Sequence, residues 1–353
     1  MINNCGGDNE MVTIKDMAEM LGLSTTTVSN VIHGKTGQVS QKTVERVQKL
    51  LEEYEYVPNI SARNLASNSS GIIGVAIKGR RDRCDNLIAN SFYGNLLSAI
   101  EAEIRARGYF MMLYISDDVI ELMRYVSTWN VDGLILLGML HDDFAWVKTK
   151  YKKPAVLIDS YAPRTVADYV NVGLDDEGSC FELASYILKC GHRKVAFLAD
   201  NMEGVDYQRY LGFIRALKEY DIEPEEDHLI MIHPGILRSE ESMRELYEKA
   251  QNYTAFMCCS DYYAVMLMND FMERGMRIPE DLSFAGYDDD YTASIVRPKL
   301  TTIRQDVGKK GKIAVDCLEK MIRGEKPRKK NYCLPTELII RDSVRLMGEK
   351  TDK

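Results

Sequence analysis

Residues 12–32 read VTIKDMAEMLGLSTTTVSNVI. Thr13 stands three places before Asp16, the spacing at which a capping hydroxyl and an acidic side chain exchange hydrogen bonds with each other's backbone. Ile14, Met17, Ala18 and Leu21 recur at i, i+3, i+4 and i+7, which predicts a short amphipathic helix. Gly22 breaks it. Ser24 then caps a second helix whose inner face is Val28, Val31 and Ile32 and whose outer face is Thr25, Thr26, Ser29, Asn30 and His33. Two short helices across a glycine turn read as a helix-turn-helix.

Downstream, Ser40 caps a third helix with Val44, Val47, Leu50, Leu51 and Tyr54 facing inward, which closes a small three-helix unit. Pro58 stops the chain, and Asn59 can cap a brief segment, Ile60 to Ala66, before the polar tract SNSSG at 67–71. A helix of about seven residues falls below the roughly 12 to 15 needed for marginal stability in water, so this is a linker expected to fold only when docked.

From Gly71 the texture changes to apolar strand runs alternating with amphipathic helices. GIIGVAI, YFMMLYI, VDGLILL and PAVLID form one set, and KVAFLAD, HLIMI, TAFMCCS and LSFAGYDD form a second. Strand–helix alternation implies parallel sheets covered on both faces, and two sets imply two doubly wound lobes. Ligands in such folds sit at the carboxyl ends of the strands. Asp159, Asp261 and Asp288 each fall at or just after the end of an apolar run. For Asp261, followed by a strong helix, capping and ligand contact are equal readings. Carboxylates with a nearby arginine and flanking aromatics suit a polyhydroxylated ligand, because each oxygen can accept more than one hydroxyl hydrogen.

Composition narrows the classes. A chain of 353 residues, 45% hydrophobic and 28% charged, suggests two or three packed units. Its apolar runs are strand-length, short of the roughly 18 residues that a membrane-spanning helix needs. The first ten residues carry neither a basic nor an apolar signal region, so a cytoplasmic protein with no membrane partner is expected. Eight scattered cysteines show no C-x-x-C spacing and signal neither disulfides nor zinc. Phosphate-cradling glycine loops, H-E-x-x-H and G-x-S-x-G are absent, so no enzyme and no cofactor are expected. Metal binding by Asp288-Asp289-Asp290 is disfavoured, since consecutive residues at a strand end point in different directions. Lys plus Arg number 45 against 53 Asp plus Glu, a net charge of −8 that taken alone argues against a nucleic-acid partner. Divided along the chain, residues 1–10 hold −2, residues 11–70 sum to zero and the remaining −6 lies beyond. The acid is thus carried away from the helix-turn-helix.

The residues also carry a resemblance. VTIKDMAEMLGLSTTTVSNVI, VSQKTVERVQKLLEEYEYVPN and SARNLAS resemble the DNA-binding headpiece and hinge of the lactose/galactose repressor (LacI/GalR) family. SFYGNLLSAIE, VDGLIL, PAVLID, CGHRKVAFL, QRYLGF, MERGMRIPEDLSFAGYDD, KLTTIRQD and LPTELIIRDS continue it in order, so it spans about Met11 to Arg345. It implies an α/β protein in which a three-helix helix-turn-helix headpiece and a hinge helix precede a two-lobed, periplasmic-binding-protein-like core of doubly wound parallel sheets. The implied division is a disordered extension at 1–10, a headpiece at 11–58, a hinge at 59–70, a core at 71–346 and a tail at 347–353. Within the core the N-lobe is expected at about 71–168 plus 301–332, and the C-lobe at 169–300 plus 333–346.

Carried over by position, the resemblance puts Thr25, Thr26 and Asn30 on base-reading positions, with Asn30 where the family commonly has Arg. Ser24, Ser29, His33, Ser40 and Asn59 fall on backbone-contacting positions. Ala62, Arg63 and Leu65 fall on the minor-groove hinge, with Leu65 as the wedge that kinks the duplex. Phe92, Asp159, Arg209, Asp261, Asp288 and Gln305 fall on the effector pocket, and Tyr93, Tyr161, Tyr207 and Tyr287 could stack beside a sugar. The implied function is a homodimeric transcription regulator, a repressor of carbohydrate-utilisation genes. It binds a pseudo-palindromic, double-stranded operator under control of a small effector, with a sugar favoured. The alternatives are a purine or a phosphocarrier protein as the signal, and more remotely a sugar-binding transport receptor. The tail RLMGEKTDK lacks the leucine repeat of tetrameric members, so a dimer is implied.

Overall fold

The computed structural model describes residues 12–32, 34–56, 69–79, 86–161, 169–233, 235–236 and 239–348. It divides into two compact units, one ending at Asn68 and the other starting at Ser69.

The first unit contains α1 (Ile14–Leu21), α2 (Thr25–Ile32) and α3 (Gln41–Glu53). At the start of α1 the Asp16 amide donates to Thr13 Oγ1 at 3.3 Å while the Thr13 amide donates to Asp16 Oδ2 at 2.8 Å, the reciprocal cap that the sequence predicts. Gly22 ends the helix at φ 64°, a left-handed conformation that a side chain would oppose. Ser24 Oγ accepts from the Thr27 amide at 3.0 Å and so starts α2 within two residues of that turn. Met17, Ala18, Val28, Val31, Val44 and Val47 make the small core. Arg46 Nη2 donates to the Leu21 carbonyl at 2.9 Å and ties α3 to the end of α1. Tyr54, expected inside, is 44% exposed, because α3 ends at Glu53 and its last turn runs past the shallow core.

The second unit holds two six-stranded sheets. The first has the order β11-β5-β4-β3-β1-β2, from β1 (Ile72–Lys78), β2 (Phe110–Ser116), β3 (Gly133–Leu137), β4 (Ala155–Ile158), β5 (Val170–Leu174) and β11 (Asn331–Leu334), all parallel. The second has the order β12-β10-β9-β8-β6-β7, from β6 (Val195–Ala199), β7 (Leu229–Met231), β8 (Ala255–Cys258), β9 (Ser283–Asp288), β10 (Thr301–Gln305) and β12 (Thr336–Ile339). Only the β10–β12 pair is antiparallel there. Helices α4 (Ser91–Ala106), α5 (Val119–Thr128), α6 (His141–Lys150) and α12 (Val307–Ile322) pack on the first sheet. The second sheet is served by α7 (Asp176–Lys189), α8 (Gly204–Glu219), α9 (Glu240–Ala250), α10 (Asp261–Glu273) and the short α11 (Tyr291–Ile295). No helix among the described residues is long and apolar enough to cross a membrane.

The expected lobe boundaries need correction. Val170–Leu174, which the alternation did not single out, pairs with β4 and β11 in the first sheet, so that lobe extends past 168. Thr301–Gln305 pairs with β9 in the second sheet, and residues 333–334 pair in the first. Apolar periodicity marks a strand but carries no information about which sheet receives it. The chain therefore crosses between lobes at Asp175, Asp306 and Pro335. At the first two crossings the aspartate caps the next helix, accepting from the Gly178 amide at 2.9 Å and the Lys309 amide at 2.8 Å.

Candidate functional sites

In the first unit α2 presents Thr25 and Thr26 to solvent, with Ser29 and Asn30 half-buried beside them. Ser24 and Ser40 are exposed, but their hydroxyls already serve as caps, each also bonded at 2.8 Å to the hydroxyl three residues on. His33, Asn59, Ala62, Arg63 and Leu65 lie outside the described residues. The exposed polar edge of α2 can offer hydroxyls and an amide, the donor and acceptor set that reads base edges.

In the second unit a cavity of about 300 Å³ opens at the carboxyl ends of both sheets. That volume is at the lower end of the range for small-molecule sites. Phe92 and Tyr93 enter it from the first turn of α4, their rings edge to face at 5.2 Å. Asp159 enters from the end of β4 at φ 51°, and Asp288 from the end of β9 at φ 125°. These backbone conformations are sparsely populated and are held only where the surrounding fold over-determines them, which recommends both strand ends as functional turns.

Each carboxylate has its own partners. Asp159 receives both of its hydrogen bonds from Lys310 Nζ, at 2.8 and 2.7 Å. Burial raises the Asp159 carboxyl above its ordinary range, with the lysine opposing the shift. Asp288 accepts from Gln305 Nε2 at 2.6 Å, and Arg209 Nη2 lies 3.9 Å away. Burial outweighs both and pushes its pKa up to about 7. Arg209 is fixed by Asp176 Oδ1 at 2.8 Å and the Cys259 carbonyl at 2.6 Å, with its guanidinium 3.6 Å above the Tyr287 ring. Burial of this arginine is compensated by carboxylates on three sides, which keeps it charged.

The structure thus brings Phe92, Asp159, Arg209 and Asp288 to one cavity and leaves Asp261 and Gln305 behind its wall. Asp261 is fully buried and neither caps α10 nor faces the cavity. Its carboxylate accepts from Thr302 Oγ1 at 2.6 Å and from the Asp290 amide at 2.9 Å, pinning the turn after β9. A Cβ on Gly286 would come within 2.3 Å of Asp261 Oδ1, so that strand must be glycine where the carboxylate lies against it. Gln305 is 6% exposed and spans from Asp288 to Lys310, accepting from the lysine at 2.6 Å. Tyr161 donates to Asp176, Tyr287 is buried under Arg209, and Tyr207 is exposed outside the cavity lining. No group of described residues could hold a metal ion.

Sequence reasoning missed Lys310, Asp176, Asn201 and Asp206. Asn201 and Asp206 line the cavity, joined by a bond of 2.6 Å. For Lys310 a signal existed. It lies in helical register with Ala314, Cys317 and Leu318, and a charge on a buried stripe must be paired.

Comparisons with known proteins agree with both units. Residues 13–59 match the model for bacterial regulatory proteins of the lacI family, and residues 184–344 match a periplasmic binding protein-like domain. The chain is 30% identical over 342 residues to the HTH-type transcriptional repressor PurR of Vibrio vulnificus (strain CMCP6), covering 95% of this chain and 99% of that one. It is 28% identical over 345 residues to the HTH-type transcriptional regulator MalR of Clostridium butyricum, covering 94% and 99%. Among solved structures, the Lac repressor dimer bound to operator and the anti-inducer ONPF superposes with a TM-score of 0.81 at 26% identity, covering 95% of this chain and 100% of that one. A complex of the transcriptional regulator CelR with cellobiose gives 0.69 at 25%, covering 94% and 99%. With a helix-turn-helix unit, a two-lobed core and full-length relatives in agreement, the chain belongs to the lacI family of bacterial regulatory proteins and is a DNA-binding transcriptional regulator.

Proposed function

We propose that the protein is a homodimeric, cytoplasmic repressor of carbohydrate-utilisation genes whose operator affinity is set by a sugar held between the core lobes. The observation that carries this reading is the cavity itself, where Asp159 and Asp288 stand at strand ends of opposite lobes beside Phe92 and Tyr93. Carboxylates accept hydroxyl hydrogens and an aromatic face covers the apolar side of a sugar ring. The core neighbour solved with cellobiose supports a sugar, and the Lac repressor dimer on its operator supports a dimer on DNA.

In this reading Thr25, Thr26 and Asn30 contact bases in the major groove, while Ser24, Ser29, His33, Ser40 and Asn59 contact the backbone. Leu65, with Ala62 and Arg63, enters the minor groove between two half-sites. A sugar that prefers one degree of lobe closure shifts operator affinity only by its differential affinity for the two states.

The test is a thermal-shift screen of the full chain with glucose, galactose, maltose and cellobiose against guanine and hypoxanthine. A sugar should raise the midpoint by mass action, and Asp288→Ala should abolish the rise. Stabilisation by a nucleobase alone would overturn the sugar assignment. For the DNA arm, Leu65→Ala should reduce operator bending, and unchanged bending would remove the wedge.

A further inference from the structure

Lys310 has no exposed surface, and its ammonium has three acceptors for three hydrogens: both oxygens of Asp159 and Oε1 of Gln305. It also lies 5.6 Å from the centroid of Phe92, which lines the cavity. Gln305 passes the contact on through Nε2 to Asp288. One cation therefore sits behind the cavity wall and satisfies a carboxylate from each lobe, the first directly and the second through an amide.

The other cations at this cavity are committed in the same way. Lys78 pairs with Asp143 at 2.6 Å, and Arg209 with Asp176. Acids outnumber cations among the described lining residues, with Asp159, Glu203, Asp206 and Asp288 against Lys78 and Arg209. An anionic ligand would meet this excess of negative charge, and a ligand cation would find Asp159 already taken.

We propose that Lys310 is the resident cation of the cavity and its specificity determinant: it fills the place a ligand cation would occupy, so that the site selects an uncharged, hydroxyl-rich ligand. This rests on reading the cavity as the ligand site, but its test does not depend on which sugar binds. Lys310→Ala removes a propylammonium group from beneath the cavity, leaving Asp159 without its counter-ion.

The probe is n-propylammonium chloride, with n-propanol and potassium chloride as controls, measured by thermal shift on the full chain. Lys310→Ala should gain a saturable rise of about 2 °C or more with propylammonium alone. Wild type and the Asp159→Asn/Lys310→Ala pair should not respond. No rise in the single variant, or an equal rise in the pair, would overturn the proposal.

Asp159→Asn keeps the volume and supplies a second reading should Lys310→Ala fail to fold. It leaves the buried ammonium without its counter-ion, and adding Lys310→Met should restore the thermal midpoint by about 4 °C or more. A double variant no more stable than Asp159→Asn alone would overturn the pairing. A sugar response with no propylammonium effect would sink this proposal alone, and the reverse would sink the sugar reading alone.

Discussion

The two units are held together by different means. The headpiece closes over six small or flexible side chains, and the side-chain bonds described in it are caps, one Gln41–Glu45 pair along α3 and an arginine-to-carbonyl tie. The core has full apolar layers and, between its lobes, a run of buried charge: Asp159, Lys310, Gln305, Asp288, Arg209 and Asp176. The headpiece is thus stabilised by local contacts and a small hydrophobic area, as befits about 45 residues. The core accepts the desolvation of six polar groups, of which Asp159, Arg209 and Asp288 line the cavity. Buried ion pairs add little net stability but break badly, which makes the crossing point sensitive to anything that disturbs one partner.

The sharpest way to break this comparison is to remove one member of the charged run. Lys310→Met should lower the stability of the core by about 3 kcal/mol or more, because Asp159 is left buried without its counter-ion. Adding Asp159→Asn should recover most of the loss. Differential scanning calorimetry that showed the single variant unchanged would mean that the pair is solvated. The converse variant, Met17→Ala, should cost the headpiece about 3 kcal/mol through transfer and cavity terms, enough to unfold so small a unit while the core transition stays in place. A coincident shift of both transitions would show that the units are not energetically separate.

A third effect distinguishes the units by pH. Asp288 has its folded pKa raised to about 7, so the unfolded carboxyl, at about 3.9, ionises first. The stability linked to it is complete below the unfolded value and is lost as pH rises through about 7. The core midpoint should therefore fall between pH 4 and 7, and Asp288→Asn should flatten that slope while leaving the headpiece profile as it was. An unaltered slope would assign the titration elsewhere. Smallest of all, Thr13→Ala removes the reciprocal cap of α1 and should destabilise the headpiece by about 1 kcal/mol, measurable by urea titration.

The same contrast explains what could be read without a structure. Headpiece helices were legible because their causes are local: Thr13 to Asp16 is one turn, Gly22 is one residue, and Val28 and Val31 share a helix face. Tyr54 was misplaced because the depth of a core is not a local property. In the core, strand ends were legible, and with them Asp159 and Asp288. Arg209 and Phe92 came only with the resemblance, since nothing in their neighbourhood marks them.

The sequence by itself determined the three headpiece helices, the strand–helix alternation of the core, the α/β class and the carboxylates at strand ends, because caps, periodicity and apolar runs act over a few residues. Only the tertiary structure decided that Val170–Leu174 belongs to the first sheet and Thr301–Gln305 to the second, since strand pairing joins residues far apart in the chain. It alone placed Asp261 in the wall and not in the cavity, and it alone set Lys310 against Asp159, 151 residues away, where burial forces a charge to find its partner.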